Sequence, residues 1–300
     1  MKTTLSLTKR NVKLFFKDKG MFFTSLITPL ILLVLYATFL SNVYKDSFVI
    51  GLPKGLTIEE GLLDALVGGQ LTSSILAVSC VTVAFCSNFL MVSDRANGAG
   101  KDLGISPVTP SILSVSYYAA TLISTLIICF TATALCLAYQ AIVGWYLSFT
   151  DVMAILLDVI LLVLFGTALS SIINYFLSTQ GQISAVGSIV SSGYGFICGA
   201  YMPISSFGEG LQTAVLFLPG TYGTSLLRNH ALRGVFEEMN ETGIPEEVTS
   251  IMADAVDCSL GFGDYTFTEP VMFLILGGAA MLLLGIYVAI NIYRNKRITK

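Results

Sequence analysis

Two long stretches without a charged side chain constrain the fold of this chain more than any other feature. No Asp, Glu, Lys or Arg lies between Asp102 and Asp151, and none lies between Asp158 and Glu209. Soluble domains carry about 25% charged residues, whereas 12% of this chain is charged and 54% is hydrophobic. A run of about 20 apolar residues suffices to cross the hydrocarbon core of a bilayer. The sequence therefore predicts an integral membrane protein.

The apolar runs predict six transmembrane helices. Backbone groups in lipid must hydrogen-bond internally, and runs this long favour helices over the short alternating strands of a barrel. We expect an all-α membrane protein whose six spans cover residues 21–40, 71–92, 112–143, 152–177, 183–201 and 271–293. The first run is longer than the core of a secretory signal, which is about 7 to 15 residues. We therefore expect it to be retained as a helix.

The basic residues predict that both termini lie in the cytoplasm. Cytoplasmic loops of membrane proteins carry an excess of Lys and Arg. With the N-terminus inside, only four of the 16 basic residues fall in outer segments, namely Lys45, Lys54, Arg228 and Arg233. An N-in, C-in topology is therefore favoured.

Residues 1–20 have the pattern of an amphipathic helix. Apolar residues including Phe15 and Phe16 share one face, and the other face carries most of the basic residues, which are Lys9, Arg10, Lys13 and Lys17. Such a helix would lie on the inner leaflet, attracted to anionic headgroups of the membrane lipids. A basic topology anchor without a further role explains the segment equally well.

The glycine-rich segment that ends in Gly100 and Lys101 does not form a nucleotide-binding loop. A phosphate-binding loop needs a glycine five positions before Gly100 and a hydroxyl residue after the lysine. Here those positions hold Arg95 and Asp102. The chain therefore has no nucleotide-binding motif and is not predicted to be an enzyme.

Cysteine and histidine give no sign of a metal or catalytic site. Five of the six cysteines fall within predicted spans, which leaves Cys258 alone outside them, and their spacing is not that of a metal site. His230 is the only histidine. No nucleophile or carboxylate is assigned to it, so we expect a hydrogen-bonding role at the surface.

The cytoplasmic loop 93–111 carries the first resemblance to a known family. It resembles the segment between the second and third helices of ATP-binding cassette type 2 permeases. The residues that keep the family's character are Asp94, Arg95, Gly98, Leu103, Ser106 and Pro107, while Ala96, Ala99, Gly100 and Gly104 depart from it. Arg95 and Lys101 are the two basic residues of the loop. The resemblance implies a short coupling helix that docks into a partner ATPase.

A second patterned segment follows the fifth predicted span. The stretch LPGTYGTSLLRNHALRG is similar to the family's outer motif, with Pro219 and Arg228 at the expected separation. It lies in the outer segment 202–270, which Pro219 and Gly220 divide. We expect a re-entrant or interfacial hairpin there, followed by an acidic amphipathic helix with apolar spacing at Val248, Ile251, Met252 and Val256. The last span and a basic tail then occupy residues 271–300.

The resemblance implies the membrane subunit of an exporter. Two permease chains, identical or different, would form the pathway, and separate ATPase subunits would hold ATP and Mg²⁺ and drive it. No cofactor is expected in this chain and no nucleic acid among its partners. The implied location is a bacterial inner (plasma) membrane, and the implied substrate is a drug, a lipid or another amphiphile. The main alternative is a non-transporting assembly or sensor protein whose outer segment recognises a partner. An intramembrane enzyme is the remaining alternative.

Small residues and one carboxylate within the spans complete the candidate residues. Gly187, Ser191, Gly195 and Gly199 recur every four positions along the fifth predicted span, and small residues allow helices to approach closely in lipid. They favour tight packing within one subunit, with a mobile pathway face as the alternative. Asp158 is the only ionisable residue well inside a span. It is either a structural hydrogen-bonding group or a contact for a cation or substrate.

Overall fold

A computed structural model of the chain describes residues 2–35, 41–50, 58–105, 108–262 and 265–298. Most of these residues are helical. The helices are α1 (Lys2–Lys17), α2 (Lys19–Leu35), α3 (Ser41–Ile50), α4 (Glu60–Ala96), α5 (Ala99–Ile105), α6 (Pro110–Val143), α7 (Phe149–Tyr175), α8 (Gln180–Ile197), α9 (Glu209–Leu216), α10 (Pro219–Glu241), α11 (Glu246–Ala255) and α12 (Glu269–Ile298). The strands β1 (Leu260–Phe262) and β2 (Tyr265–Phe267) pair antiparallel, with Gly261 opposite Thr266.

Four helices among the described residues are long and apolar enough to cross a membrane. They are α4, α6, α7 and the Glu269–Tyr293 part of α12. Helices α1 and α2 meet at a bend of 71° and would form a fifth span if they are counted together. The described part of the chain is thus mostly helical with four or five candidate spans, which agrees with the predicted all-α membrane protein. The number of six spans and the N-in, C-in topology stay predictions.

Two of the predicted spans do not correspond to a single span-forming helix in the structure. The first corresponds to α2, which ends at Leu35, and residues 36–40 lie outside the described ones. The fifth corresponds to α8, which is not among the four span-forming helices. Its polar start at Gln180 and its many Gly and Ser residues lower its mean hydropathy. Gly199, at a φ of 74°, then turns the chain out of the helix.

Helix α4 is the centre of the bundle. In its most apolar stretch 94% of the residues are buried, and it packs against α2, α6, α7, α8 and α10. Glycines allow this close approach. A Cβ on Gly69 would lie 2.5 Å from Cδ2 of Leu232, and one on Gly166 of α7 would lie 2.9 Å from the carbonyl oxygen of Cys80. Close packing of this kind holds helices together in lipid, so α4 cannot move without repacking its neighbours.

The outer surface of the bundle is apolar. Ile142 of α6 is 84% exposed, and Leu274 and Met281 of α12 are 73% and 70% exposed. In water such a continuous apolar surface would drive association, whereas in a bilayer it contacts acyl chains at no such cost. The perimeter of α6 and α12 therefore fits a lipid environment.

Helices α9 and α10 form a hairpin that reaches the middle of the bundle. Pro219 occupies the first turn of α10, where its missing N–H leaves no hydrogen bond unmade. A Cβ on Gly223 would lie 2.4 Å from Leu162, which is near the midpoint of α7, and α10 then runs antiparallel to α7 toward residue 149. A re-entrant hairpin requires this geometry, and its depth in a bilayer stays a prediction.

Candidate functional sites at the two ends of the bundle

The first site is the α5 end, formed by α5, the C-terminal ends of α4 and α7, and the N-terminal end of α6. Asp94, near the end of α4, is buried and accepts two hydrogen bonds on Oδ2. Nη1 of Arg10 donates at 2.9 Å, and the hydroxyl of Tyr117 donates at 2.5 Å. Arg10 belongs to α1 and Tyr117 to α6. One carboxylate of the predicted coupling loop therefore joins three helices.

Arg95 joins α4 to the C-terminal end of α7. Its Nη1 donates to the carbonyl oxygens of Asn174, Tyr175 and Leu177 at 3.3, 2.7 and 3.1 Å. The guanidinium also lies 5.6 Å from the ring centroid of Tyr175. The last carbonyl groups of a helix lack intrahelical partners and carry partial negative charge. Arg95 therefore caps α7, an internal role that the family resemblance did not imply.

A short helix, α5, lies at the position of the predicted coupling helix, whose docking to an ATPase stays a prediction. Gly98, at a φ of 83°, ends α4 in the left-handed conformation that glycine adopts without strain. A Cβ on Gly100 would lie 3.3 Å from the carbonyl oxygen of Asp94, so a glycine there lets α5 fold tightly against the end of α4. The glycines that depart from the family pattern therefore accompany a sharp corner and do not prevent the helix.

The other residues predicted for coupling have different positions. Asp102 on α5 is exposed, and Leu103 is partly buried. The side chain of Lys101 and the whole of Pro107 lie outside the described part of the chain. The structure therefore gathers Asp94, Arg95, Gly98 and Leu103 at one end of the bundle.

Aromatic rings of the same chain pack against the row of small residues on α8. A Cβ on Gly195 would lie 2.3 to 2.5 Å from ring atoms of Tyr201, and one on Gly187 would lie 3.2 Å from Cε2 of Phe89. The Tyr201 hydroxyl donates to the carbonyl oxygen of Ser191 at 3.3 Å. This side of α8 packs within the chain. The neighbouring row, which consists of Ser184, Ser188 and Ser192, is exposed.

Arg228, predicted from the outer motif, is the largest fully buried side chain among the described residues. Its Nη1 donates to Oδ2 of Asp257 at 2.9 Å, and its Nη2 donates to the carbonyl oxygen of Gly199 at 2.5 Å. The backbone N–H of Ile204 donates to the same Asp257 oxygen at 2.7 Å. A buried charge is tolerated only when it is paired and hydrogen-bonded. Arg228 therefore connects α10 to the end of α8 and to Asp257, two residues after α11.

The second site is the α10 end, where α10 meets the N-terminal ends of α7 and α12. Asp158 is fully buried, and its Oδ2 lies 2.5 Å from Nδ1 of His230. The sequence interpretation of His230 as a surface residue is wrong, because the residue is only 7% exposed. Nε2 of the same ring lies 3.6 Å from Oε2 of Glu269. The intramembrane carboxylate and the single histidine are therefore partners.

Arg233 completes the charge cluster at the α10 end. It donates to both carboxylate oxygens of Glu269 at 2.8 Å and to Oδ1 of Asp151 at 3.2 Å. Asp151 also accepts the backbone N–H and the hydroxyl of Ser148, in a capping box that begins α7. Three carboxylates and two basic side chains from three helices thus share one site.

The carboxylates of the cluster determine the charge of His230. Burial disfavours the charged imidazole, but the interactions with Asp158 and Glu269 outweigh burial and raise the pKa of His230 to about 9. The two carboxylates therefore favour the protonated imidazole. Sequence reasoning had singled out Asp158 and His230 separately. Their pairing could have been inferred, because an ionisable group inside a span needs a partner.

Comparison with known proteins identifies the family. A family model for the ABC-2 type transporter matches residues 3–231, which is more than half of the chain. The matched range includes α5, the α8 row and Arg228, whereas Asp257 and Glu269 follow it. Searches of curated proteins and of solved structures gave no match. The chain therefore belongs to the ABC-2 type transporter family and is a membrane permease component of an ABC-type transporter.

Proposed function

We propose that this chain is the permease half of an exporter in a bacterial inner membrane. It pairs with a second permease chain, and separate ATP-binding cassette ATPase subunits drive the pair. The ATPases bind ATP and Mg²⁺, because this chain has no motif for either. The transported substrate is a drug, a lipid or another amphiphile.

The junction at the α5 end is the observation that carries this proposal. α5 packs on the end of α4, where Asp94 holds Arg10 of α1 and Tyr117 of α6. The next residue, Arg95, holds the end of α7. A movement of α5 caused by an ATPase would therefore be transmitted directly to α4, and through Asp94 and Arg95 to α1, α6 and α7. Rigid-body motion of packed helices is an established means of switching between states.

Copurification and ATP hydrolysis test the proposal. The chain, expressed with the genes that neighbour it, should copurify with an ATP-binding subunit, and the complex should hydrolyse ATP faster when substrate is added. Asp102→Arg on the exposed face of α5 should weaken ATPase association, because a reversed charge at a docking surface introduces like-charge contacts. Asp102 has no described side-chain partner that the change would break.

Asp254→Arg on α11 is the matched control. Asp254 is also an exposed helical aspartate, but it belongs to the outer segment. We expect this variant to bind the ATPase as the wild-type chain does. Equal ATPase association of Asp102→Arg and wild type would contradict the docking role of α5. A chain that copurifies with no ATPase would favour the assembly or sensor function instead.

A further inference from the structure

A cavity of about 470 Å³ lies between α7, α10 and α12 at the α10 end. Its polar side is formed by Asp158, His230 and Glu269. Its remaining wall is apolar and includes Leu157 and Phe273. A cavity of this volume accommodates a small organic molecule, since ligand pockets measure about 300 to 1,000 Å³.

The polar side of the cavity has an excess of negative charge. Among the residues that the structure describes, the carboxylates of Asp151, Asp158 and Glu269 face two cationic groups, Arg233 and His230. Oδ1 of Asp158 is buried and has no hydrogen-bond partner among the described residues. A buried carboxylate oxygen without a donor is costly, and a donor that carries positive charge relieves the cost best. The site therefore lacks one cationic N–H donor.

The apolar wall of the cavity continues to the lipid-facing surface. Leu157 of α7 is 47% exposed and Leu274 of α12 is 73% exposed, and both border the cavity. Both helices are among the four span-forming ones. A ligand that enters between them meets hydrocarbon first and carboxylate last. That order suits a molecule with an apolar tail and a charged head.

An organic cation fits this site better than a metal ion. Among the described residues, no group of three His, Cys, Asp or Glu side chains has the arrangement of a metal site. His230 and Arg233 already contact the other carboxylate oxygens of the cluster, and Oδ1 of Asp158 is the one that still lacks a donor among the described residues. An alkylammonium group has the charge, the N–H donors and the tail that the cavity requires.

We propose that this cavity binds an amphiphile whose head is a protonated amine, with the amine at Asp158 and the tail along Leu157, Phe273 and Leu274. This inference rests on the proposed function only in naming amine-bearing amphiphiles as the substrate class. Binding itself needs no ATPase. Binding of the amphiphile can therefore be measured on the purified chain, separately from export.

Equilibrium binding of dodecylamine to the full chain in lipid nanodiscs tests the proposal, with dodecanol as the uncharged probe. We expect saturable dodecylamine binding at one site and much weaker dodecanol binding. Asp158→Asn keeps the shape of the side chain and an acceptor for His230 but removes the charge. Loss of one charge-assisted hydrogen bond should weaken dodecylamine binding by about tenfold or more.

Asp254→Asn on α11 is the matched control and should bind dodecylamine as wild type does. Leu157→Trp fills the cavity from its exposed side without touching the charge cluster, so it should abolish binding even if Asp158→Asn does not fold. The proposal is overturned if wild type binds dodecanol as tightly as dodecylamine. It is also overturned if Asp158→Asn and Leu157→Trp both bind dodecylamine with wild-type affinity.

Discussion

At the scale of single residues, Gly195 shows how tightly α8 packs on its own chain. Gly195→Ala would place a methyl group 2.3 to 2.5 Å from the ring of Tyr201. Overpacking of this kind typically destabilises a protein by about 1 to 3 kcal/mol. We therefore expect a lower midpoint of thermal unfolding for the purified chain, measured in detergent.

Gly193→Ala is the control for this prediction, because it lies two residues away on the same helix and its Cβ would meet no atom within 4 Å. Alanine is a better helix former than glycine by about 1 kcal/mol, so this variant should be as stable as wild type or more so. If Gly195→Ala were equally stable, α8 would not press against Tyr201 in the protein.

The His230 pair makes a prediction about pH. The pKa of His230 is raised from 6.5 to about 9 in the folded chain. A raised pKa means that the folded state holds its proton more tightly than the unfolded state. The resulting stabilisation is complete below pH 6.5 and is lost as the pH rises through 9. The charged groups that raise this pKa are Asp158 of α7 and Glu269 of α12. Asp151 of α7 and Arg233 of α10 belong to the same cluster.

Thermal unfolding measured at several pH values checks this prediction. Wild type should lose stability between pH 6.5 and 9, and His230→Gln should lose less over the same interval, because glutamine hydrogen-bonds without titrating. If the unfolding midpoints of the two proteins changed equally with pH, the imidazole would not be charged in the folded state.

At the scale of helices, Arg95 caps the C-terminal end of α7. Arg95→Met removes the donor for three carbonyl groups at the end of α7. Leaving partly buried carbonyl groups unpaired costs about 1 to 3 kcal/mol. We expect that loss of stability in the isolated chain, and faster amide hydrogen exchange in the last turn of α7. Lys9→Met on the exposed side of α1 should change neither.

If Arg95 were only a docking contact for the ATPase, Arg95→Met would leave the stability of the isolated chain unchanged. Only the association with the ATPase would then fall. Measuring both quantities on the same variant separates the two roles.

The helices were more predictable from the sequence than their contacts. Charge-free runs indicate helices because lipid leaves the backbone no other partner, and α4, α6, α7 and α12 follow from that rule alone. α8 was less predictable, since its Gly and Ser residues reduce hydropathy while they serve packing. The pair of Asp158 and His230 joins positions 72 residues apart. Periodicity along one helix carries no information about such a contact.

At the scale of the whole molecule, the bundle has two chemically different ends. The α5 end collects α1 with its basic residues, the loop after α4, and the later part of α12, where the Tyr287 hydroxyl donates to the carbonyl oxygen of Ser114 on α6. The α10 end collects the acidic residues Asp151, Asp158 and Glu269. This separation agrees with the predicted orientation, in which the basic end faces the cytoplasm.

Cysteine accessibility in intact cells tests the orientation. All six native cysteines are buried, so a membrane-impermeant maleimide should label the wild-type chain weakly. Asn97 at the α5 end and Glu246 at the start of α11 are both exposed. Glu246→Cys should therefore label from outside, and Asn97→Cys should label only after the membrane is permeabilised. Labelling of Asn97→Cys in intact cells would invert the bundle, place α5 outside, and remove any contact with an ATPase that works on cytoplasmic ATP.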